Sequence, residues 1–76
     1  MTGLTPKKML VMGARTEDAM AKLGITIAEL AGEMKWHEEA VMSFLNGIYK
    51  PSLDELVRIA EITNRKTDWL LSMEMD

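Results

Sequence analysis

Signals that begin and end helices recur at short intervals along this chain, and they limit each helix to a few turns. Thr5 is a suitable N-cap, and Pro6 fits the first helical position, where its missing N–H costs nothing. The pattern predicts a first helix over about residues 6–22. Because Gly13 weakens the middle of a helix by ~1 kcal/mol relative to alanine, a later start near Thr16 stays open as an alternative.

A second helix follows directly. Gly24 is suited to end the first helix, and Thr26 can cap a second one over about residues 27–34. Its apolar residues recur at the i, i+3, i+4 and i+7 spacing of a buried stripe, and they are Ile27, Leu30, Ala31 and Met34. This spacing predicts that one face of the second helix packs into the core.

A tight turn at Lys35 and Trp36 separates that helix from a third, which begins near His37 and ends at Asn46 and Gly47. Acidic residues near its start suit the positive end of a helix. Its apolar positions are Ala40, Val41, Phe44 and Leu45. The sequence therefore predicts two short helices joined by a turn.

A capping box marks the fourth helix. The Ser52 hydroxyl and the Glu55 carboxylate can each satisfy a backbone N–H of the first turn, which predicts a helix over about residues 53–62. The residues expected on its core face are Leu53, Leu56, Val57, Ile59 and Ala60. Thr67 then caps a short fifth helix anchored by Trp69 and Leu70, and residues 72–76 are expected to fray.

Composition restricts the chain to one small domain without strands. With 76 residues and no cysteine, it can bury only about 60% of the surface of its unfolded form, so residues 1–76 hold one core, at about residues 6–71. No β-branched run alternates with period 2, so we expect an all-α bundle of about five short helices.

Targeting signals are missing from this sequence as well. No apolar run approaches the roughly 18 residues that a membrane span needs, and the stretch from Met9 to Met12 is too short for the core of a secretory signal. We therefore expect a cytoplasmic protein with no membrane partner.

These helices and their residues resemble the Cro/C1-type, or XRE, family of helix-turn-helix repressors. The residues that carry the resemblance are Leu23-Gly24-Ile25-Thr26, Glu29-Leu30-Ala31, Val41, Phe44, Asn46-Gly47, Pro51-Ser52 and Thr67-Asp68-Trp69-Leu70-Leu71. The match covers about residues 15–71. The resemblance implies a lambda-repressor-like fold in which helices 2 and 3 form the helix-turn-helix.

One departure from the family supports the predicted fold. Repressors of this type often bury an arginine of helix 1 against a glutamate of helix 3, and the corresponding positions here are Met20 and Leu45. Replacing both members of a buried ion pair by packed apolar side chains is often neutral or stabilising, whereas replacing one leaves a buried charge. We therefore expect Met20 and Leu45 to be in contact.

The resemblance also implies which residues meet DNA. Helix 3 of such proteins lies in the major groove, and helix ends and the following loop contact phosphates. By position, the base-reading residues are His37, Glu38, Glu39 and Ser43, and the phosphate-binding residues are Lys35, Asn46 and Lys50. Glutamate can accept a hydrogen bond from cytosine N4, and serine can bond to several base edges.

The charge pattern opposes DNA binding. Between residues 26 and 47 one lysine stands against four glutamates, a net charge of −3, whereas eight basic residues balance eight acidic residues elsewhere. Affinity for DNA comes largely from neutralised phosphates. Two further positions depart from the family, since Ile27 replaces a frequent glutamine and Ile48-Tyr49-Lys50 replaces a loop that is often basic.

An exposed patch of Met42, Ile48 and Tyr49 is one interpretation of these departures, and such patches mark protein-interaction sites. The alternative is that Ile27 and Tyr49 pack against the chain itself, Tyr49 over Pro51. Glu38 and Glu39 then serve only as favourable charges at a helix N-terminus.

Two functions follow. The first is a prokaryotic or phage transcription regulator that binds operator DNA as a homodimer, through either the methionine-rich first helix or Trp69 and Leu70. The second is an acidic helix-turn-helix protein that modulates a repressor or another helix-turn-helix protein. With His37 as its one histidine and without a phosphate-binding loop, the chain is expected to be no enzyme and to need no cofactor, metal or small-molecule substrate.

Overall fold

The computed structural model describes residues 5–66 and 69–70, and within them the chain forms four α-helices and no strand. The helices are α1 (Pro6–Leu23), α2 (Ile27–Met34), α3 (Glu38–Leu45) and α4 (Leu53–Ile62). This confirms the all-α class. Trp69 and Leu70 are helical too, whereas the predicted cap at Thr67 and the predicted fraying of residues 72–76 lie outside the described residues.

Helix α1 is continuous, so the alternative start near Thr16 is wrong. The Thr5 hydroxyl accepts a hydrogen bond from the Lys8 backbone N–H at 3.1 Å. Gly13 lies inside the helix, against the C-terminal end of α3. A Cβ atom there would lie 2.7 Å from the Phe44 carbonyl oxygen and closer still to that of Leu45. The glycine therefore allows α1 and α3 to approach closely.

Side-chain caps fix the starts of α2 and α4. Thr26 and Glu29 form a capping box at α2, and Ser52 and Glu55 form one at α4. Each box satisfies two backbone N–H groups that the helix leaves unpaired. The predicted bounds of both helices are thereby confirmed.

The core face of α4 is narrower than the sequence predicts. Leu56, Ile59 and Ala60 are buried, whereas Leu53 is 65% exposed and Val57 is 39% exposed. The prediction that Leu53 and Val57 face the core is therefore wrong. The two residues are four positions apart and lie beside each other on the solvent flank of the helix.

Two clusters of buried side chains make up the core. The first contains Met12, Phe44, Leu56, Ile59, Ala60 and Leu70. The second contains Met20, Leu30, Ala31 and Val41. Trp36 and Leu45 pack against both clusters, so they join the two halves of the core. Met20 belongs to the second cluster and Leu45 packs against that cluster, and a direct contact between the two side chains stays a prediction.

Arg15 of α1 holds the C-terminal helical residues against the rest of the fold, and Arg65 lies over the same tryptophan ring. The Arg15 guanidinium donates to the Trp69 carbonyl oxygen at 2.6 Å. The guanidinium groups of Arg15 and Arg65 lie 5.7 Å and 4.7 Å from the centre of the Trp69 ring. Leu70 is completely buried. Trp69 and Leu70 are therefore anchors, as predicted.

None of the helices in the described part of the chain has the length and apolarity of a membrane span.

Candidate nucleic-acid interface

Helices α2 and α3 form a compact pair with one apolar side and one open side. Val41 and Phe44 of α3 are buried in the core, and Leu30 and Ala31 of α2 are buried beside them. Because α3 turns its apolar positions inward, its opposite side faces solvent.

The predicted base-reading positions lie on this open side. Glu38, Glu39 and His37 are exposed, and Ser43 is half-buried one helical turn further along. His37 is the N-cap of α3 but makes no side-chain capping bond. The structure therefore leaves these side chains accessible to a ligand, with the imidazole and both carboxylates nearest the start of the helix.

Lys35 occupies an unusual backbone conformation in the turn between α2 and α3. It is the C-cap of α2, with φ 60° and ψ 38° in the left-handed region. Its N–H donates to the Gly32 carbonyl oxygen at 3.3 Å. Glycine is the default residue in this region, because a Cβ atom crowds the backbone there. A lysine therefore occupies a position for which the backbone favours glycine.

The loop after α3 is bonded to the helix end. The N–H groups of Ile48 and Tyr49 donate to the Ser43 carbonyl oxygen at 2.8 Å and 3.2 Å. Gly47 has φ 77°, and a Cβ atom on it would lie 2.9 Å from the Leu10 Cα atom. Ile48 is left 72% exposed by this arrangement.

Tyr49 faces inward, so the prediction that it contacts a partner is not supported by its position. Its ring packs edge-on against Trp36, with ring centres 5.1 Å apart. Its hydroxyl donates to the two carboxylate oxygens of Glu55, at 3.0 Å and 3.1 Å. Burial raises the pKa of Tyr49, and the hydrogen bond to Glu55 and its negative charge raise it further. Glu55 therefore holds the loop as well as the start of α4.

Ile27 also belongs to the fold. It is half-buried and packs against the second core cluster. The alternative interpretation, in which this residue attaches α2 to the core, is the one that the structure supports.

The predicted phosphate contacts are accessible but few. Lys35, Asn46 and Lys50 are all exposed. Beyond them, Arg58 reaches α2 from α4, and its guanidinium lies 3.8 Å from a carboxylate oxygen of Glu33 and 3.4 Å from the Glu33 carbonyl oxygen. Neither Glu38 nor Glu39 has a hydrogen bond or ion pair to any residue that the structure describes. The two carboxylates at the start of α3 therefore have no partner among the described residues, and Lys35 is the one lysine or arginine in the turn before them.

Most residues predicted to form the dimer contact are buried within the monomer. Leu70 has no exposed surface, so its prediction as a contact residue is wrong for the folded monomer. Trp69 is half-buried, and two guanidinium groups lie near its ring. Met12 and Met20 of the first helix are buried. Among the described residues outside α2 and α3, large apolar side chains are exposed instead at Leu10, Leu23, Ile48, Leu53 and Val57.

Sequence analysis missed three features that position or support the α2–α3 pair. They are the close approach at Gly13, the double role of Glu55 and the pairing of two arginines with Trp69. A glycine inside a helical pattern is the one signal that could have indicated the first. Glu55 pairs with residues three and six positions away, and Arg65 precedes Trp69 by four, but the contact of Arg15 with Trp69 spans 54 residues and is made only by the fold.

A comparison with protein families identifies the fold. A family model described as helix-turn-helix matches residues 17–70, which include α2, the turn, α3 and α4. No curated protein and no solved structure matches the chain.

Proposed function

The chain belongs to the Cro/C1-type helix-turn-helix family of DNA-binding regulators, and from this premise we propose that it binds operator DNA as a symmetric dimer. In the proposed complex α3 of each subunit lies in the major groove. The observation that carries the proposal is the accessibility of the first residues of α3, Glu38 and Glu39, in a helix whose other side is buried.

Phosphate contacts in this proposal come from the edges of the α2–α3 pair. Lys35 lies in the turn before α3, and Asn46 and Lys50 lie at and beyond its end, all three exposed. In the sequence, these residues therefore lie on both sides of α3. Contacts on both sides of a recognition helix fix its register on the duplex without reading sequence.

A dimer is part of the proposal because one helix-turn-helix per chain reads one half-site. Two half-sites about 34 Å apart, one turn of DNA, then supply the specificity. The exposed apolar pair of Leu53 and Val57 on α4 is the surface that we assign to the two-fold contact. The sequence pattern predicted that both side chains are buried, and a contact between subunits would bury them.

A fluorescence anisotropy titration with a random-sequence duplex, followed by selection from a duplex library, tests the proposed function. We expect binding at low salt that weakens steeply as salt is added, because counterion release supplies most non-specific affinity. We also expect enrichment of sites with two-fold symmetry. Absence of binding at 50 mM salt or below would contradict the proposal.

The charge distribution favours one alternative, an acidic helix-turn-helix protein that binds a basic protein instead of DNA. The segment of residues 26–47 carries the whole net charge of −3, and Met42 and Ile48 are 43% and 72% exposed next to it. Saturable binding to the DNA-reading surface of a purified helix-turn-helix repressor, without DNA binding at low salt, would establish this alternative.

A further inference from the structure

We propose that a groove between α1, α2 and α4 binds a small organic cation, a molecule with an apolar body and an ammonium head. The groove has a volume of about 600 Å³, within the range of about 300–1,000 Å³ that is usual for small-molecule sites. The residues that line it include Leu23, Ile25, Glu29, Gly32, Glu33 and Ile62. None of them belongs to the proposed DNA contact or to the proposed subunit contact, so this site is separate from both.

Gly32 keeps the groove open on the side of α2. It lies inside that helix with an ordinary helical backbone, because the glycines with positive φ in the described part of the chain are Gly24 and Gly47. A Cβ atom at Gly32 would meet nothing within 4 Å. Glycine inside a helix costs stability relative to alanine, and here neither the backbone nor a close neighbour requires it, in contrast to Gly13. The missing side chain therefore provides space in the groove and serves no packing contact.

Aliphatic side chains form one side of the groove. Leu23 at the end of α1 is exposed, whereas Ile25 and Ile62 are half-buried and pack against the second core cluster. These two isoleucines are therefore held in place by the core beneath them. A hydrocarbon group that covers the three side chains removes apolar surface from water. This side of the groove favours a ligand with an apolar body.

Two carboxylates of α2 form the other side. Glu29 and Glu33 lie one helical turn apart, on the face that also carries Gly32. One oxygen of Glu29 accepts the Thr26 N–H at 2.9 Å, and one oxygen of Glu33 lies 3.8 Å from the Arg58 guanidinium. Both groups of the latter pair are more than half exposed, and such exposed pairs are weak. Because the groove is lined by no lysine or arginine among the described residues, its charge suits a cation.

The two sides together define the chemical class of the ligand. An ammonium group donates three hydrogen bonds and accepts none, so it can bond to the carboxylates while its body covers the aliphatic side chains. Glu29 and Glu33 would repel a carboxylate or phosphate head. An ammonium ion without a hydrocarbon group would leave the aliphatic side uncovered. The groove should therefore select amines that carry an apolar group.

Titration of the full chain with phenethylamine, followed by NMR spectra of the backbone amides, tests the proposal. This amine is protonated at pH 7, as a lysine is. Phenethyl alcohol and hydrocinnamate present the same aromatic body with a neutral and a negative head, and ethylamine presents the positive head almost alone. The titration contains no DNA, so its result does not depend on the proposed function.

We expect phenethylamine to shift the amide signals of the residues that line the groove until they saturate, with a Kd on the order of 1 mM. Phenethyl alcohol should bind about 2- to 5-fold more weakly, because an exposed ion pair contributes little. Hydrocinnamate and ethylamine should produce no saturable shift at these residues.

Two pairs of variants locate the site. Gly32→Leu fills the groove and should weaken phenethylamine binding about 5-fold or more. Ala14→Leu adds the same side chain at an exposed position of α1 that does not line the groove, and it should bind like wild type. Glu33→Gln should reduce the preference for the amine over the alcohol about 2-fold. Glu17→Gln removes the same charge from an exposed position of α1 and should keep that preference.

Several results would overturn the proposal. They are the absence of saturable shifts at the lining residues at about 20 mM phenethylamine, equal binding of hydrocinnamate or ethylamine, and undiminished binding by Gly32→Leu. Equal binding of the alcohol would show that the carboxylates recognise nothing. The series of head groups uses the wild-type protein, so it decides the question even where a variant does not fold.

Discussion

At Gly13 alanine would be the better helix former, but α1 and α3 lie too close together for a Cβ atom at this position. Gly13 lies in α1, where glycine costs ~1 kcal/mol relative to alanine. The carbonyl oxygens of Phe44 and Leu45 occupy the volume that a Cβ atom would need. Because both obstacles are backbone atoms, a rotamer change cannot remove the overlap.

We therefore predict that Gly13→Ala destabilises the protein, in spite of its better helix propensity. Separating α1 from the end of α3 should lower the free energy of unfolding by about 1–3 kcal/mol. Gly32→Ala is the matched control, because a Cβ atom at Gly32 meets nothing within 4 Å. That change should stabilise the protein by ~0.5–1 kcal/mol. Urea denaturation followed by circular dichroism measures both, and a stabilising Gly13→Ala would refute the close approach.

A substitution of Lys35 separates the effect of this residue on stability from its proposed contact with a DNA phosphate. Lys35→Gly should raise the free energy of unfolding by ~0.5–1 kcal/mol, since φ 60° suits glycine. If Lys35 contacts a phosphate, the same change should weaken DNA binding at all sequences and reduce the salt slope by about 0.9. Thermal melting and anisotropy titrations at several salt concentrations measure the two effects.

Lys22→Ala serves as the binding control for this experiment, because Lys22 lies in the last turn of α1 and pairs with Asp18 at 3.2 Å. It should leave the salt slope unchanged. A Lys35→Gly protein that is more stable and binds DNA with the wild-type salt slope would remove Lys35 from the interface.

The Tyr49 hydroxyl should make stability depend on pH in the alkaline range. Tyr49→Phe removes the hydrogen bonds to Glu55 and should cost about 1 kcal/mol at pH 7. The pKa of Tyr49 is raised in the folded state, so the unfolded chain loses this proton first as the pH rises above 10.0. The stabilisation is thus complete below the unfolded pKa and is lost as the pH rises through the folded pKa.

Melting temperatures of wild type and Tyr49→Phe at pH 7 and near pH 11 test this prediction. The advantage of wild type should shrink or reverse at the higher pH. The phenylalanine variant lacks the titrating hydroxyl and corrects for other groups that ionise there, such as lysines. An equal difference between the two proteins at both pH values would contradict the assigned hydrogen bond.

At the scale of elements, short helices keep their places through caps and mutual packing. Helices α2 and α3 each contain eight residues, too few for an isolated helix to be stable in water. A capping box fixes the start of α2, and burial of Val41 and Phe44 holds α3. The position of the exposed side of α3 therefore depends on the packing of the core beneath this helix.

Helix α4 supplies the test of the proposed dimer. Leu53→Glu places a charge in the exposed apolar pair, where a two-fold contact would bring two such charges together. The variant should remain folded, sediment as a monomer and bind DNA more weakly than wild type. Analytical ultracentrifugation and anisotropy measure these effects.

Leu23→Glu is the control for this variant, since Leu23 is 51% exposed at the C-terminal end of α1. It makes the same change in charge outside α4 and should sediment like wild type. A wild-type protein that is monomeric at concentrations where it binds DNA, or a dimeric Leu53→Glu, would contradict the assigned contact.

At the scale of the whole molecule, one core depends on residues far apart in the sequence. Leu70 has no exposed surface and packs with Met12 of α1 and Ile59 of α4 in the first cluster. Small domains are stable by only about 5–15 kcal/mol. The C-terminal helical residues are therefore part of the structural unit that carries α2 and α3.

We predict that Leu70→Ala lowers the free energy of unfolding by about 2–5 kcal/mol, through lost burial and the cavity that remains. Leu23→Ala, at a position that is 51% exposed and outside the proposed subunit contact, should change it by at most about 0.5 kcal/mol. Chemical denaturation measures both. A change at Leu70 no larger than that at Leu23 would show that the C-terminal residues are dispensable for the core.

Local signals in the sequence predicted where the helices begin and which family the chain belongs to. Caps act between residues that are close in the chain, so Thr5, Thr26 and Ser52 predicted the starts of α1, α2 and α4 from local chemistry alone. The residues that carry the resemblance to the helix-turn-helix family likewise lie in one continuous segment, and the family model matches residues 17–70.

Packing between helices sets which of the predicted core positions are fully buried, and the sequence pattern did not predict this for every residue. A helical period of 3.6 residues places Leu53 and Val57 near the core face, but the position of the neighbouring helices leaves both exposed. The Arg15 guanidinium reaches the Trp69 carbonyl oxygen across 54 residues of sequence, because the fold brings α1 beside the C-terminal helical residues. Burial depends on what packs against a residue, and that partner is distant in the sequence.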